Sequence, residues 1–564
     1  MDQNKKRFYY LFIFLVVLLG LGVRFFTLGQ FTHVDDLAVI NDMNQDFNLN
    51  RYQNEFLHNE SYKNYNTARF EVLRKIDNTG FFDMIESVVN HNPFRFVKVF
   101  FTMTYAPLQF FITQWFVNES FSYTTQIVFA RLPSLLISLG AIVLYFFTLR
   151  KYTPKEERIP KMLLGITVLW LSWNFIINST LTYPYAAGVT ALFGLMFLLF
   201  KESERKRNLK GSLWVVVLLL GLVGLQYQLV VFLPAFFLCL LYKYKDQWKG
   251  ELKHIVVIAI IFGILFMPIF FLKVSGVQAI HWNAGPNNEF VAPEKISELP
   301  LFFVENGFIV FMNLASFTYE FSGWLIVLNM FLLVCMFAGG YSLWRNKNKY
   351  QKWIGLFVLA SFLTWIVLIM LHKIALSPTR HSLILLPFLI ITIPEGFMYL
   401  AEKIKIRSIK EWGTPVVSIA IVILFLSSMS EIVNNRQDVI KESEVLEQIE
   451  GIDIVLEDGM SLNLHLMPSV KQMFTYDKEC SCWRNGDQEK NVAFVSTRDY
   501  TPERKAALMK QAGLDFAEYM LVSEWGKEKP ASFEFSRRVI IGENKVMIEK
   551  YEKINKEEKE IEMS

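Results

Sequence analysis

Apolar residues along this chain gather into runs parted by short polar or basic connections. A bilayer span needs about 20 mainly apolar residues. Runs of that kind occur at 8–28, 123–149, 162–180, 184–200, 212–226, 228–242, 254–273, 322–344, 353–372, 381–400 and 414–430. Runs 212–226 and 228–242 read as a tight hairpin whose tip is Gln226-Tyr227-Gln228. The apolar stretch 299–318 is interrupted by Glu305, Asn306, Gly307 and Asn313 and predicts a helix lying at the interface. After residue 431 the pattern changes. Charges become dense, and apolar runs shorten to strand length at 453–456, 492–495 and 538–541. Thr501 and Pro502 then open a helical pattern, as an N-cap and a first-turn proline. The expected fold is mainly α: a polytopic membrane protein with about eleven transmembrane helices over 1–430, followed by a small α/β domain over 431–564.

The basic residues orient this map. Lys5, Lys6 and Arg7 precede the first run. Arg150, Lys151, Lys155, Arg158 and Lys161 follow the second, and Lys201, Arg205, Lys206, Arg207 and Lys210 follow the fourth. Every second connection is strongly basic and the short ones between them are nearly free of Lys and Arg, which the positive-inside rule reads as a cytoplasmic N-terminus. The long first loop, 29–122, and the C-terminal domain are then extracytoplasmic, and the protein is a multi-pass component of the cell membrane. The first run lacks a small-residue cleavage site and continues through Arg24 into Phe25-Phe26, so it reads as a retained anchor rather than a signal peptide.

Composition changes this picture little. Hydrophobic residues make up 53% of the chain, which soluble proteins also approach, so the runs carry the argument. Four Cys in 564 residues exclude a disulfide scaffold. A net charge of 57 − 53 = +4 gives no reason to expect a nucleic-acid partner. Cys480 and Cys482 lie one residue apart, as a tight disulfide or as free thiols, and form too small a set for zinc.

Ionisable residues deep in spans mark ion and proton pathways. Here they are scarce. Glu395, between Pro394 and Gly396, reads as an interface-facing side chain near a helix end. A coupled transporter would carry acids at the midplane. The polar chemistry sits instead at the outer ends of the runs. Thr32-His33-Val34-Asp35-Asp36 follows the first run. An adjacent acidic pair there either starts a helix or supplies a general base. Thr104-Tyr105-Ala106-Pro107-Leu108-Gln109 leads into an aromatic interfacial helix. Ser377-Pro378-Thr379-Arg380-His381 opens the tenth run, where Arg380 either snorkels or grips phosphate through its planar guanidinium.

With Arg131-Leu132-Pro133-Ser134 near the start of the second run, these features in this order resemble the GT-C class of membrane glycosyltransferases, which includes the protein O-mannosyltransferases and the lipid A aminoarabinose transferase. Asp35-Asp36 stands where relatives usually carry Asp-Glu, and Pro378-Thr379-Arg380-His381 resembles their Pro-Arg-Tyr-like element. The basic residue and first proline that relatives carry before Pro107 are missing, and Thr180–Tyr185 stands where they often carry an acid. The resemblance covers about 1–430. It implies a polyprenyl-phosphate-linked sugar donor, a glycan, lipid or protein acceptor, and a site shaped by the first loop. It implies catalytic roles for Asp35 and Asp36, with Asp35 as the base. His33, Tyr105, Gln109, Arg131, Tyr183, Arg380 and His381 are the expected substrate-binding residues. No metal site is assigned and no cofactor is firmly implied, although the acidic pair leaves room for a divalent metal. The competing classes are a cell-envelope polysaccharide polymerase or ligase and a lipid-linked sugar transporter.

Overall fold

The computed structural model describes residues 3–28, 107–117, 121, 123–204, 209–243, 248–269, 292–293, 295–317, 323–346, 348–371, 374, 376, 380–404, 406–429, 442–457, 473–477, 482–486, 489–496, 501–527 and 546–554. They divide into two compact units. One is drawn from Met1–Thr27, Asp46–Trp115 and Arg131–Ser430, the other from Leu28–Gln45, Phe116–Ala130 and Glu431–Ser564.

Helices in the first part of the chain are α1 (Gln3–Thr27), α2 (Pro107–Thr113), α3 (Tyr123–Tyr152), α4 (Lys155–Leu171), α5 (Trp173–Ser179), α6 (Tyr185–Glu204) and α7 (Leu209–Leu225). A 3-10 turn at Tyr227–Phe232 leads into α8 (Leu233–Lys243), followed by α9 (Trp248–Ile269), α10 (Leu299–Leu314), α11 (Gly323–Arg345) and α12 (Lys349–Met370). A second 3-10 turn, Arg380–Leu385, opens α13 (Leu386–Ile404), and α14 (Arg407–Ser427) closes the series. Among the described residues, five segments are long and apolar enough to cross a membrane: Gln3–Thr27, Thr125–Tyr152, Gly323–Arg345, Lys349–Met370 and His381–Ile404. The pair Lys155–Leu171 and Trp173–Ser179, bent by 61°, makes a sixth if it is one broken span. The chain is therefore a membrane protein. The other expected spans fall on shorter apolar helices, such as Tyr185–Lys201 and Gly211–Leu225, which length alone does not qualify as crossings.

Burial separates a centre from a rim. α4 is buried from Ile159 to Leu171, and α13 from Leu386 to Met398. In α1 and α11 only one stripe is buried, and Leu11, Phe14, Leu15, Val327 and Phe337 stay open on the other face. A helix apolar all round belongs in a core, and one whose open face is also apolar suits lipid. α11 and α13 cross at their backbones. A Cβ on Gly396 would overlap the Cys335 carbonyl, and one on Gly339 would overlap the Thr392 carbonyl. Small residues permit the close approach on which packing in a bilayer depends.

The α4–α5 break is held by polar groups. Ser172 takes the N-cap position of α5, and its hydroxyl donates to Leu314 O at 2.9 Å. The Trp173 amide donates to Ser316 O at 2.7 Å, and Asn174 Nδ2 to Asn313 Oδ1 at 2.9 Å. Further along α4 lies a feature that corrects the reading of Glu395. That side chain is buried and accepts from Lys161 Nζ at 2.5 Å and from the Ser342 hydroxyl at 3.2 Å. Lys161, counted above among the basic residues that follow the second run, is itself 1% exposed and also meets Glu157 at 2.7 Å. Burial makes a lone carboxylate or ammonium costly, so the two are found together.

The second unit contains α15 (Glu442–Ile449), β1 (Ile454–Glu457), β2 (Thr475–Asp477), β3 (Cys482–Arg484), β4 (Asn491–Ser496), α16 (Pro502–Gln511), β5 (Tyr519–Lys527) and β6 (Val546–Lys553). The sheet order is β2-β3-β1-β4-β6-β5, with β1 and β4 parallel and the other pairs antiparallel. Alternate side chains enter opposite cores: Val455, Ala493 and Val495 join Ile449 and Trp483, whereas Ile454, Leu456, Val492 and Phe494 join Met509 and Tyr551. Strands expected at 453–456 and 492–495 are thus present, and 538–541 lies outside the described residues. Cys482 is disulfide-bonded, Cys239 and Cys335 are free, and Cys480 lies outside the described residues. Burial, together with the neighbouring Glu549 carboxylate, pushes the Tyr551 hydroxyl above its ordinary range.

Candidate functional site

The segment Ser179–Tyr185 joins α5 to α6, and polar side chains from distant parts of the chain converge on it. Its sequence, Ser-Thr-Leu-Thr-Tyr-Pro-Tyr, carries small hydroxyls, a proline that disfavours helix in the residue before it, and two aromatic rings. Two of its backbone carbonyls, those of Thr182 and Pro184, accept from side chains of other elements.

From α2, Gln109 Nε2 donates to Thr182 O at 2.6 Å. Gln109 is fully buried, and its Oε1 has no hydrogen-bond partner among the described residues. Phe110 meets Tyr183 edge-on at 6.4 Å, and Tyr183 stacks on Tyr185 at 5.8 Å. From the break after α7, Gln226 Nε2 donates to Pro184 O at 3.3 Å. Gln226 is extended, at φ −155°, which is where the expected hairpin tip lies. Beside it, the buried Tyr227 hydroxyl has no partner among the described residues. His381, in the turn that opens α13, stands edge-on to Tyr185 at 5.2 Å, and its Nδ1 lies 3.4 Å from Gln228 Nε2. Near the start of α3, Ser134 Oγ lies 3.5 Å from Asn178 O. Arg131, one turn earlier, is fully buried.

Of the nine residues expected from sequence, Gln109, Tyr183 and His381 are therefore brought together on one segment, and Arg131 lies a turn from a contact with its α5 end. Arg380 begins the same 3-10 turn as His381, although its side chain lies outside the described residues. His33, Asp35, Asp36 and Tyr105 lie outside them altogether. Sequence reasoning did not single out Tyr185, and read Gln226 and Gln228 only as parts of a hairpin tip. The available signal was two polar amides flanking a tyrosine between apolar runs.

One further group touches the segment. Arg24, in the last turn of α1, is fully buried, and its Nε donates to Ser179 Oγ at 2.7 Å. In sequence it marked only the end of an apolar run.

The arrangement offers amides, aromatic faces and oxygens such as Gln109 Oε1 and the Tyr227 hydroxyl that have no hydrogen-bond partner among the described residues. Amide and phenol groups donate and accept without carrying charge, which suits a neutral polyhydroxylated ligand. Among the described residues no three His, Cys, Asp or Glu side chains are grouped so as to hold a metal ion. No protein-family model, curated protein or solved structure matches this chain.

Proposed function

We propose that this protein is an integral-membrane glycosyltransferase that moves a sugar from a polyprenyl-phosphate donor to an extracytoplasmic glycan, lipid or protein acceptor. The observation that supports this reading is the meeting of Gln109 and His381, from two stretches that the GT-C resemblance marks, on the buried segment that carries Tyr183, where this chain departs from its relatives. The reading includes eleven spans, a cytoplasmic N-terminus and an extracytoplasmic sheet unit, on the alternation of basic connections.

In this mechanism the Asp35 carboxylate takes the proton of an acceptor hydroxyl as its oxygen attacks the anomeric carbon. The bond from that carbon to the phosphate oxygen breaks, and polyprenyl phosphate leaves with the electron pair. One displacement inverts the anomeric centre. Asp36 adds electrostatic support or holds a divalent metal, and Arg380 offsets charge on the departing phosphate. Gln109 and the tyrosines orient the sugar.

The test is transfer from a short-chain polyprenyl-phosphate sugar in nanodiscs. Asp35→Asn should lower the rate by at least about two orders of magnitude with the fold intact. Arg380→Lys should lose at least about tenfold, because Lys lacks the planar two-pronged contact. Full activity in Asp35→Asn would remove the proposed base. No transfer by the wild type from any polyprenyl-phosphate sugar offered would sink the reading.

A further inference from the structure

Arg24 is buried as Lys161 is, but without that lysine's carboxylates. A guanidinium carries five N–H donors. Three are used: Nε to Ser179 Oγ at 2.7 Å, and Nη1 to Gly20 O at 3.0 Å and to Trp170 O at 2.9 Å. The Trp170 ring lies 3.6 Å from the guanidinium carbon and Phe175 lies at 5.3 Å. Trp170 is fixed in turn: its Nε1 donates to Val17 O at 3.0 Å, and only a glycine at position 20 leaves room for its ring. Both hydrogens of Nη2 remain. That atom is buried, and among the described residues it has no hydrogen-bond partner and Arg24 has no carboxylate.

Part of this arrangement has a structural reason. The Trp170 carbonyl is released by the α4–α5 break, and a cation at a helix C-terminus meets the negative end of the dipole. A dipole end is equivalent to only about half a charge, and the aromatic face adds a modest attraction. Neither engages Nη2. A buried cation left short of an anion is costly, and guanidinium nitrogens match phosphate oxygens in geometry and charge. The anchor on Ser179 also places the group at one end of the segment that carries Tyr183 and Tyr185 and accepts from Gln109.

We propose that Arg24 is a phosphate-binding residue, whose Nη2 takes an oxygen of a lipid-linked or free phosphate at the α1 end of the site. This rests on the glycosyltransferase reading for its setting and extends it by placing a phosphate contact on a residue outside the expected set. An oxygen reaching Nη2 has to displace what covers it. The three anchors keep the rest of the guanidinium in place while that happens.

The experiment measures ligand-induced thermal stabilisation of the full-length protein in nanodiscs. The probes are a short-chain polyprenyl phosphate, the matching polyprenol and inorganic phosphate. Wild type should be stabilised by polyprenyl phosphate and not by polyprenol. Arg24→Lys keeps the charge but loses the planar group, and should bind polyprenyl phosphate at least about tenfold more weakly. Ser179→Ala, which keeps the guanidinium but frees Nε, should weaken binding severalfold, and it decides the matter if Arg24→Lys does not fold. Equal affinity in wild type and the folded Arg24 variant, or in Ser179→Ala where that variant is needed, overturns this assignment. The transferase reading would then stand, with the phosphate left to Arg380. Stabilisation by inorganic phosphate but not by the lipid, lost in Arg24→Lys, supports the anion site and counts against the lipid-linked donor. No response of the wild type to either phosphate overturns both.

Discussion

Two cations lie buried against α4, and the chain keeps them in opposite ways. Arg24 meets the helix at Trp170 and Lys161 lies nine residues earlier, a separation of about 13 Å along the axis at 1.5 Å per residue. Lys161 is held by two carboxylates, and one of them, Glu395, receives a further hydrogen bond from Ser342. Arg24 has a hydroxyl, two carbonyls and two aromatic faces, and among the described residues no acid. The paired site ties α4 to α13 and α11, and its charge is answered within the fold. At the unpaired site the chain has anchored a charge without answering it. A buried charge answered by the fold supports structure, and one left unanswered invites a ligand of opposite sign.

Stability measurements in mixed micelles can break this contrast, and the largest effect is expected at Lys161. Lys161→Met leaves Glu395 buried with only the Ser342 hydroxyl, and should cost about 3–5 kcal/mol, the usual loss when one partner of a buried pair is removed. Glu395→Leu should cost less, because Lys161 keeps Glu157 at 2.7 Å, and that carboxylate is partly open to solvent. Joining the two substitutions should recover most of the loss, since no charge is then stranded. A double variant that loses the sum of both singles would mean that the pair is not what links the two residues.

A smaller loss is expected where α11 and α13 cross. Gly396→Ala puts a methyl into the Cys335 carbonyl, and the helices must part by a fraction of their spacing. Overpacking of this kind costs about 1–3 kcal/mol. The crossing lies beside Glu395, so the same variant should also weaken the ion pair. The double variant Gly396→Ala with Glu395→Leu should therefore lose less than the two effects added. Strict additivity would show that the crossing and the pair are independent.

The sequence carried much of the architecture and only the rim of the site. Run lengths located the helices, including the break at Gln226 and the two strands at 453–456 and 492–495, because apolar periodicity answers directly to burial. Gln109, Tyr183 and His381 were legible as polar residues at run ends. The buried charges were not. Lys161 stands in a basic cluster with Arg150, Lys151, Lys155 and Arg158, and counting charges cannot separate one fully buried lysine from four exposed or half-buried neighbours. The signals that could have helped were the four-residue spacing of Glu157 and Lys161 and the isolated acid inside the run at 381–400. Arg24 was harder still. Its surroundings depend on the α4–α5 break, which places Trp170 O and Ser179 within its reach from a helix 146 residues further along the chain.

The smallest stability change, and the one that most sharpens the comparison, is expected for Arg24→Met. Removing the guanidinium strands no acid, because none pairs with it among the described residues. It frees the Trp170 carbonyl and the Ser179 hydroxyl, although that hydroxyl keeps its own bond to Ile176 O at 2.7 Å. One unsatisfied buried carbonyl costs about 1–3 kcal/mol. Against this, the substitution abolishes the cost of holding an unanswered charge away from water, and a methionine thioether packs well on the Trp170 ring. The two sides should leave a net change within about 1 kcal/mol, read as the unfolding midpoint without added phosphate. The same cation-to-methionine change at Lys161 is expected to be several times more damaging. If Arg24→Met proves as costly as Lys161→Met, the guanidinium is already answered within the fold, and its place at the end of the Ser179–Tyr185 segment is structural.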